Sequence, residues 1–311
     1  MSLYSDREKK MDAKNTYTNP LAVGADPYIL QHDGKYYLYS TNAVNDGYIV
    51  YESTDLANWE DKGLCLRKED VYMPARDGGG FWAPEVYLID GRFYLFYTVR
   101  ENIGVAVADS PLGPFKKYSE GFLFPDHKAI DANLFIDDDG KMYLYYVKVE
   151  HGNHIYGAEF DLKTLKVGEP VHLISAERNT WEDKDCLVSE GPCTLKHNGV
   201  YYLTFSCNHY RCQDYGVGYA VSDSPLGPFK RYENNPILFK KPEEGIFGTG
   251  HHTLMTSAGG EMFIVYHRHQ SQTEIHPRMV CMDRCEFVKQ ENGCDVLVVH
   301  GPTSTPQPLP L

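Results

Sequence analysis

The chain has 311 residues and a formal net charge of −13, room for one large all-β domain or two ordinary ones. It shows no basic stripe, which argues against nucleic-acid binding. It contains no run of 18 apolar residues, so no segment is built as a membrane-crossing helix.

Residues 1–20 read as an N-terminal extension that opens with the polar MSLYSDREKK. That start does not read as a signal peptide and favours a cytoplasmic home. If Met1-Ser-Leu is an added leader, a removed signal leaves a secreted or periplasmic home open. Five similar segments follow: DPYILQHDGKYYLYST from Asp26, APEVYLIDGRFYLFYTV from Ala83, DANLFIDDDGKMYLYYV from Asp131, EGPCTLKHNGVYYLTFS from Glu190 and HHTLMTSAGGEMFIVYH from His251. Each reads as a strand, a tight glycine turn and an aromatic-rich strand. Asp33-Gly34, Asp90-Gly91, Asp139-Gly140 and Asn198-Gly199 suit type I′ turns.

The turn glycines Gly34, Gly91, Gly140, Gly199 and Gly260 stand 57, 49, 59 and 61 residues apart. That period, with several short strands per unit, predicts an all-β five-bladed propeller with four antiparallel strands per blade and a central funnel. Ser110-Pro-Leu-Gly-Pro-Phe-Lys116 recurs unchanged at Ser224–Lys230, and Ser53–Trp59 resembles it in the first unit. These read as structural turns near the outer strands, with Trp59 in the core. Residues 302–311 read as a Pro-rich extended tail. With no boundary between, 1–311 is taken as one domain. The eight cysteines are scattered, which predicts reduced thiols. Cys281 and Cys285 have no second pair to complete a zinc site. His252, His267, His269 and His276 would alternate faces on strands and predict none either.

Counting back eight or nine residues from each turn glycine reaches Asp26, Trp82/Ala83, Asp131, Glu190 and His251. In a propeller these positions start the innermost strands and converge on the axis. Three carboxyls brought together there would raise at least one pKa. A carboxylic acid kept protonated near neutral pH, beside an ionised one, is the machinery of glycoside hydrolysis.

The pieces Gly24-Ala-Asp26-Pro-Tyr, Phe81-Trp-Ala-Pro-Glu85, Ala129-Ile-Asp131-Ala-Asn, Ser189-Glu190-Gly-Pro and Gly248-Thr-Gly-His251-His resemble glycoside hydrolase family 43. The resemblance covers about residues 20–300. It implies an inverting enzyme with Asp26 as general base, Glu190 as general acid and Asp131 tuning the acid. Inversion implies a base–acid gap of roughly 6.5–9.5 Å, against about 5–5.5 Å for retention. It also implies sugar contacts from Phe81 and Trp82, a substrate-reaching Arg278, and His251 at the funnel base, where it contacts substrate, touches a structural Ca2+ or Na+, or orients Asp131. No cofactor is required for the chemistry. One departure is Asp131-Ala-Asn, where many relatives have Asp-Pro.

The implied substrate is a plant hemicellulose or its oligosaccharides, losing xylosyl or L-arabinofuranosyl units. The alternatives are an endo-acting xylanase or arabinanase and, in another class, a non-catalytic carbohydrate-binding propeller. The fructan-cleaving sister family is disfavoured, because it places its acid in Glu-Cys-Pro where this chain has Glu190-Gly-Pro. Oligomeric state is left open.

Overall fold

The computed structural model describes residues 15–73, 80–291 and 293–311. Residues 1–14 of the expected N-terminal extension lie outside the described residues. Alternating apolar runs punctuated by turn glycines fold into five antiparallel sheets, each a blade. Blade 1 comprises Ala25–His32, Lys35–Thr41, Gly47–Ser53 and Glu60–Arg67. Blade 2 comprises Phe81–Ile89, Arg92–Val99, Ile103–Ala108 and the short Lys116–Lys117. Blade 3 comprises Ala129–Ile136, Met142–Val149 and Asn153–Asp161, the last pairing with both Lys166–Val167 and Val171–Ser175. Blade 4 comprises Ser189–His197, Val200–Cys207, Gly216–Ser222 and Lys230–Arg231.

Blade 5 closes the ring. Its strands Gly250–Thr256, Met262–Arg268 and Met279–Val288 are joined by Val296–Val299 and by Ala22–Val23 from the start of the chain. The innermost strands of neighbouring blades touch all the way round, including blade 5 against blade 1. The tail is a strap: Gln307–Pro308 pairs with Thr16–Tyr17. Second-strand tyrosines fasten blades 1, 3 and 4 to the blades that follow them. Tyr39 Oη donates to Pro111 O and Tyr145 Oη to Pro225 O, so both copies of the repeated SPLGPF turn are inter-blade clasps. Trp59 is partly buried against the cluster of Tyr17 and Leu56.

Three turns have positive φ at both central residues, Asp33-Gly34, Asp90-Gly91 and Asn198-Gly199, as type I′ requires. Asp139-Gly140 does not. Blade 3 has a longer turn in which Asp137 N–H bonds Lys141 O and Gly140 N–H bonds Asp137 O, so only the glycine is left-handed.

Every innermost strand carries a β-bulge at its funnel end. At each bulge one residue is left-handed: Asp26, Ala83, Asp131, Gly191 and His251, with φ of 52°, 41°, 56°, 56° and 44°. The bulge re-aims these residues toward the axis. The slot in blade 4 is therefore Gly191, and Glu190 stands one step earlier, in register with Trp82. Counting back from the turn glycine placed Glu190 one position out, because loop and bulge lengths differ between blades.

Candidate active site

The slot geometry brings Asp26, Asp131 and His251 together, and Glu190 joins them from the step before. All three carboxyl residues are buried. Asp26 Oδ1 lies 2.8 Å from Arg278 Nη1, and Asp26 Oδ2 accepts the Thr41 hydroxyl at 2.6 Å. His267 Nδ1 and His251 Nδ1 stand 3.3 and 3.4 Å from Asp26 Oδ1. Burial alone would raise this carboxyl's pKa. Arg278, then His251 and His267, outweigh burial and hold it well below the usual range.

Glu190 is set the other way. Burial pushes its pKa up to about 7, and the charge of Asp26 adds to the rise. The Tyr215 hydroxyl, donating to Oε1 at 2.9 Å, and the Asn153 amide, donating to Oε2 at 2.9 Å, pull it partly back. Asp131 is also raised, by burial and by the neighbouring charges of Glu190 and Asp26; the Gly191 N–H, 3.1 Å from Oδ2, opposes that rise. One carboxyl in this cluster is thus held ionised and its neighbours are biased toward holding a proton. That is the opposed setting that a general base and a general acid require.

The surrounding residues sort by exposure. Arg278 is stacked over the Tyr210 ring, guanidinium to centroid 4.5 Å, and its buried Nε has no partner among the described residues. Trp82 is partly exposed beside Gly80. Phe81 corrects the sequence reading. It has no exposed surface and packs edge-on against Tyr48, centroids 5.5 Å apart, so it supports the funnel wall and cannot meet a sugar. His251 is lowered in pKa by burial and stands 4.0 Å from Asp131 Oδ2.

Several residues here carried no role in the sequence reading. Thr41 and Tyr215 are fixed by bulge register and by a loop, neither of which leaves a local motif. Glu85, inside the quoted Trp-Ala-Pro-Glu piece, is half-buried and lines the slot; its withdrawal from water raises its pKa to about 8, and it accepts from Tyr87 Oη and, at 3.1 Å, from Asn133 Nδ2. His252 meets Thr204 Oγ1 at 2.6 Å, His269 meets Tyr210 O at 2.7 Å, and His276 sits by Tyr210 at the rim. His252 thus stands apart from His269 and His276, which share Tyr210.

Residues 17–292 match the profile of Glycosyl hydrolases family 43. The chain belongs to that family. Family 43 members are glycoside hydrolases, so the substrate is a carbohydrate. Among solved structures, the chain is similar to a thermostable family-43 glycoside hydrolase at 40% identity and TM-score 0.86, covering 95% of this chain and 99% of that one. It is also similar to an endo-1,4-beta-xylanase from Bacteroides thetaiotaomicron VPI-5482, at 38% identity and TM-score 0.85, covering 94% and 99%. A curated relative, the beta-D-galactofuranosidase xynD of Aspergillus niger, is 29% identical over 86% of this chain and 82% of its own. An arabinoxylan arabinofuranohydrolase of Paenibacillus polymyxa is 28% identical over 80% of this chain, which spans 46% of that longer protein. The family-43 propeller here therefore has relatives named for xylosides, arabinofuranosides and galactofuranosides.

Proposed function

We propose that this family-43 enzyme is an inverting glycosidase releasing xylosyl or L-arabinofuranosyl units from hemicellulose or its oligosaccharides. The observation that carries the reading is the opposed setting of two buried carboxyls, Asp26 well below and Glu190 well above their usual ranges. Asp26 accepts a proton from the attacking water. Glu190 donates one to the departing glycosidic oxygen. Asp131 and Glu190 are neighbouring carboxyls that resist being ionised together, so the pair retains a proton near neutral pH. Trp82, partly exposed at the slot, offers a flat face to the sugar, and Arg278 acts at the same place through its ion pair with Asp26. The eight unpaired cysteines suit a reducing compartment, in keeping with a cytoplasmic enzyme.

The chemistry needs no cofactor. A Ca2+ or Na+ near His251 is a separate proposal. Asp26, Glu85 and Asp131 line the chamber beside that imidazole. Among the described residues no three His, Cys, Asp or Glu side chains form a ligand set, so such an ion would be held largely through water. No step of hydrolysis is routed through it.

The test is a panel of aryl xylosides and arabinofuranosides, with proton NMR of the first product anomer. Inverted product from either sugar supports the reading, and retained product overturns it. The similarity to an endo-1,4-beta-xylanase favours a second reading, internal cleavage of xylan. Long oligosaccharides as early products, rather than single sugars, would decide for it.

A further inference from the structure

The five slot N–H groups are all accepted by side chains, and four of the acceptors share one register position at the end of a second strand. Thr41 accepts from Ala83 at 2.9 Å, Thr98 from Asp131 at 3.2 Å, Ser206 from His251 at 2.8 Å and His267 from Asp26 at 3.2 Å. Each acceptor belongs to the blade before the slot it serves. Together they stitch the blades at the funnel. In blade 3 the same position, paired with the residue preceding the slot, is Val147. Val147 is fully buried and has no acceptor to offer. The Gly191 N–H would be stranded, and a buried unpaired donor is costly. It is taken instead by Asp131 Oδ2 at 3.1 Å, among the described residues the only hydrogen bond that carboxylate accepts.

We propose that Val147 is a positioning residue for Asp131: by leaving the blade-3 stitch open, it commits the Asp131 carboxylate to the N–H of the residue next to Glu190. The proposal rests on the reading of Asp131 as the carboxyl that tunes Glu190. The bond fixes Asp131 relative to the acid, since donor and acid are consecutive in the chain. It also favours the ionised form of Asp131 over the neutral one.

Val147→Thr tests this. The two side chains are nearly the same size, and the threonine hydroxyl would stand where Thr41 and Thr98 make the stitch. The hydroxyl takes the Gly191 N–H and releases Asp131. The expected result is a fall in kcat on the order of 10-fold, a small part of what a general acid contributes, at little-changed KM. The alkaline limb of the kcat profile moves to higher pH, because the Asp131–Glu190 pair gives up its last proton less readily without the N–H. Val147→Ala removes methyl groups and supplies no acceptor. It should lower the melting temperature and leave the pH profile in place. Val147→Ser against Val147→Ala repeats the comparison at similar volume if the threonine variant does not fold.

The opposite ranking overturns the proposal: alanine the worse variant for activity, with threonine and serine leaving the alkaline limb unmoved. Asp131→Asn, measured alongside, separates the two levels. Wild-type activity in Asp131→Asn sinks the role of Asp131 itself. An impaired Asp131→Asn beside a silent Val147→Thr sinks only the role of Val147.

Discussion

Arg278 Nη1 lies 2.8 Å from Asp26 Oδ1, across 252 residues of chain, and the same guanidinium rests on the face of Tyr210. The contact joins the first blade to the last at the funnel slot. It also decides the charge of Asp26, because burial alone would favour the neutral acid.

Arg278→Met should therefore raise the pKa of Asp26. A nearby opposite charge typically lowers a carboxyl by about 1–3 units, so the acid limb of kcat/KM should climb by up to that amount. Activity at neutral pH falls because less base is ionised. The stability sign follows the same direction. A depressed folded pKa contributes stability above the unfolded pKa and loses it as pH falls through the folded value. The variant should thus lose melting temperature against wild type at pH 7, with the gap narrowing in strong acid. An unmoved acid limb would show that Arg278 does not set the base.

Glu190→Gln should lower kcat by ~10²–10⁴-fold on glycosides with poor leaving groups, and less on activated aryl glycosides. Its stability effect is opposite to that of Arg278→Met. The folded pKa of Glu190, about 7, lies above the unfolded carboxyl value. The fold therefore loses stability as pH rises from the unfolded value through about 7, where the buried group is forced to ionise. Glu190→Gln escapes that loss. Its melting temperature should exceed wild type at pH 8 and converge with it near pH 4. Equal melting curves at pH 8 would mean that Glu190 is not held protonated in the fold.

The sequence made some of this site legible and hid the rest, for physical reasons. Hairpin glycines and apolar alternation are local signals, and they placed the blades and located Asp26, Asp131 and His251. Register is not local. Each bulge adds residues to one strand, so the equivalence of Glu190 with Trp82, and of Gly191 with Asp131, needs strand pairing to be seen. Phe81 adjoins Trp82 in sequence, but neighbours on a strand face opposite ways, and its ring went into the wall. Tyr215 stood out in no pattern, because it reaches Glu190 from a loop.

Tyr215→Phe should isolate the hydroxyl on Glu190. The ring is fully buried, stacks on His267 with centroids 5.6 Å apart, and lies where a side chain on Gly250 would fall. Phenylalanine keeps that packing and removes only the donor that lowers the acid's pKa. The alkaline limb of kcat should move upward. The rate loss should be greater for poor leaving groups than for nitrophenyl glycosides, because a misplaced acid matters most where protonation is needed. A uniform loss across leaving groups would point to packing instead.

Removing residues 307–311 should destabilise the propeller without touching catalysis. The strap pairs Gln307–Pro308 with Thr16–Tyr17, Leu309 N–H bonds Asn15 O, Leu309 O accepts from Arg284 Nη2, and Leu311 O accepts from Gly259 N–H. Net hydrogen bonds are worth about 1 kcal/mol each. In a chain of this size 1 kcal/mol moves the melting temperature by roughly 2–4 °C, so a drop of about 5–15 °C is expected. Gly259 belongs to the turn at the far end of blade 5 from His251, and the strap touches none of Asp26, Asp131 or Glu190. The values of kcat and KM at 25 °C should stay within about twofold of wild type, since distant sites act independently. A large rise in KM with an unchanged melting temperature would show that the strap acts on the funnel rather than on closure of the ring.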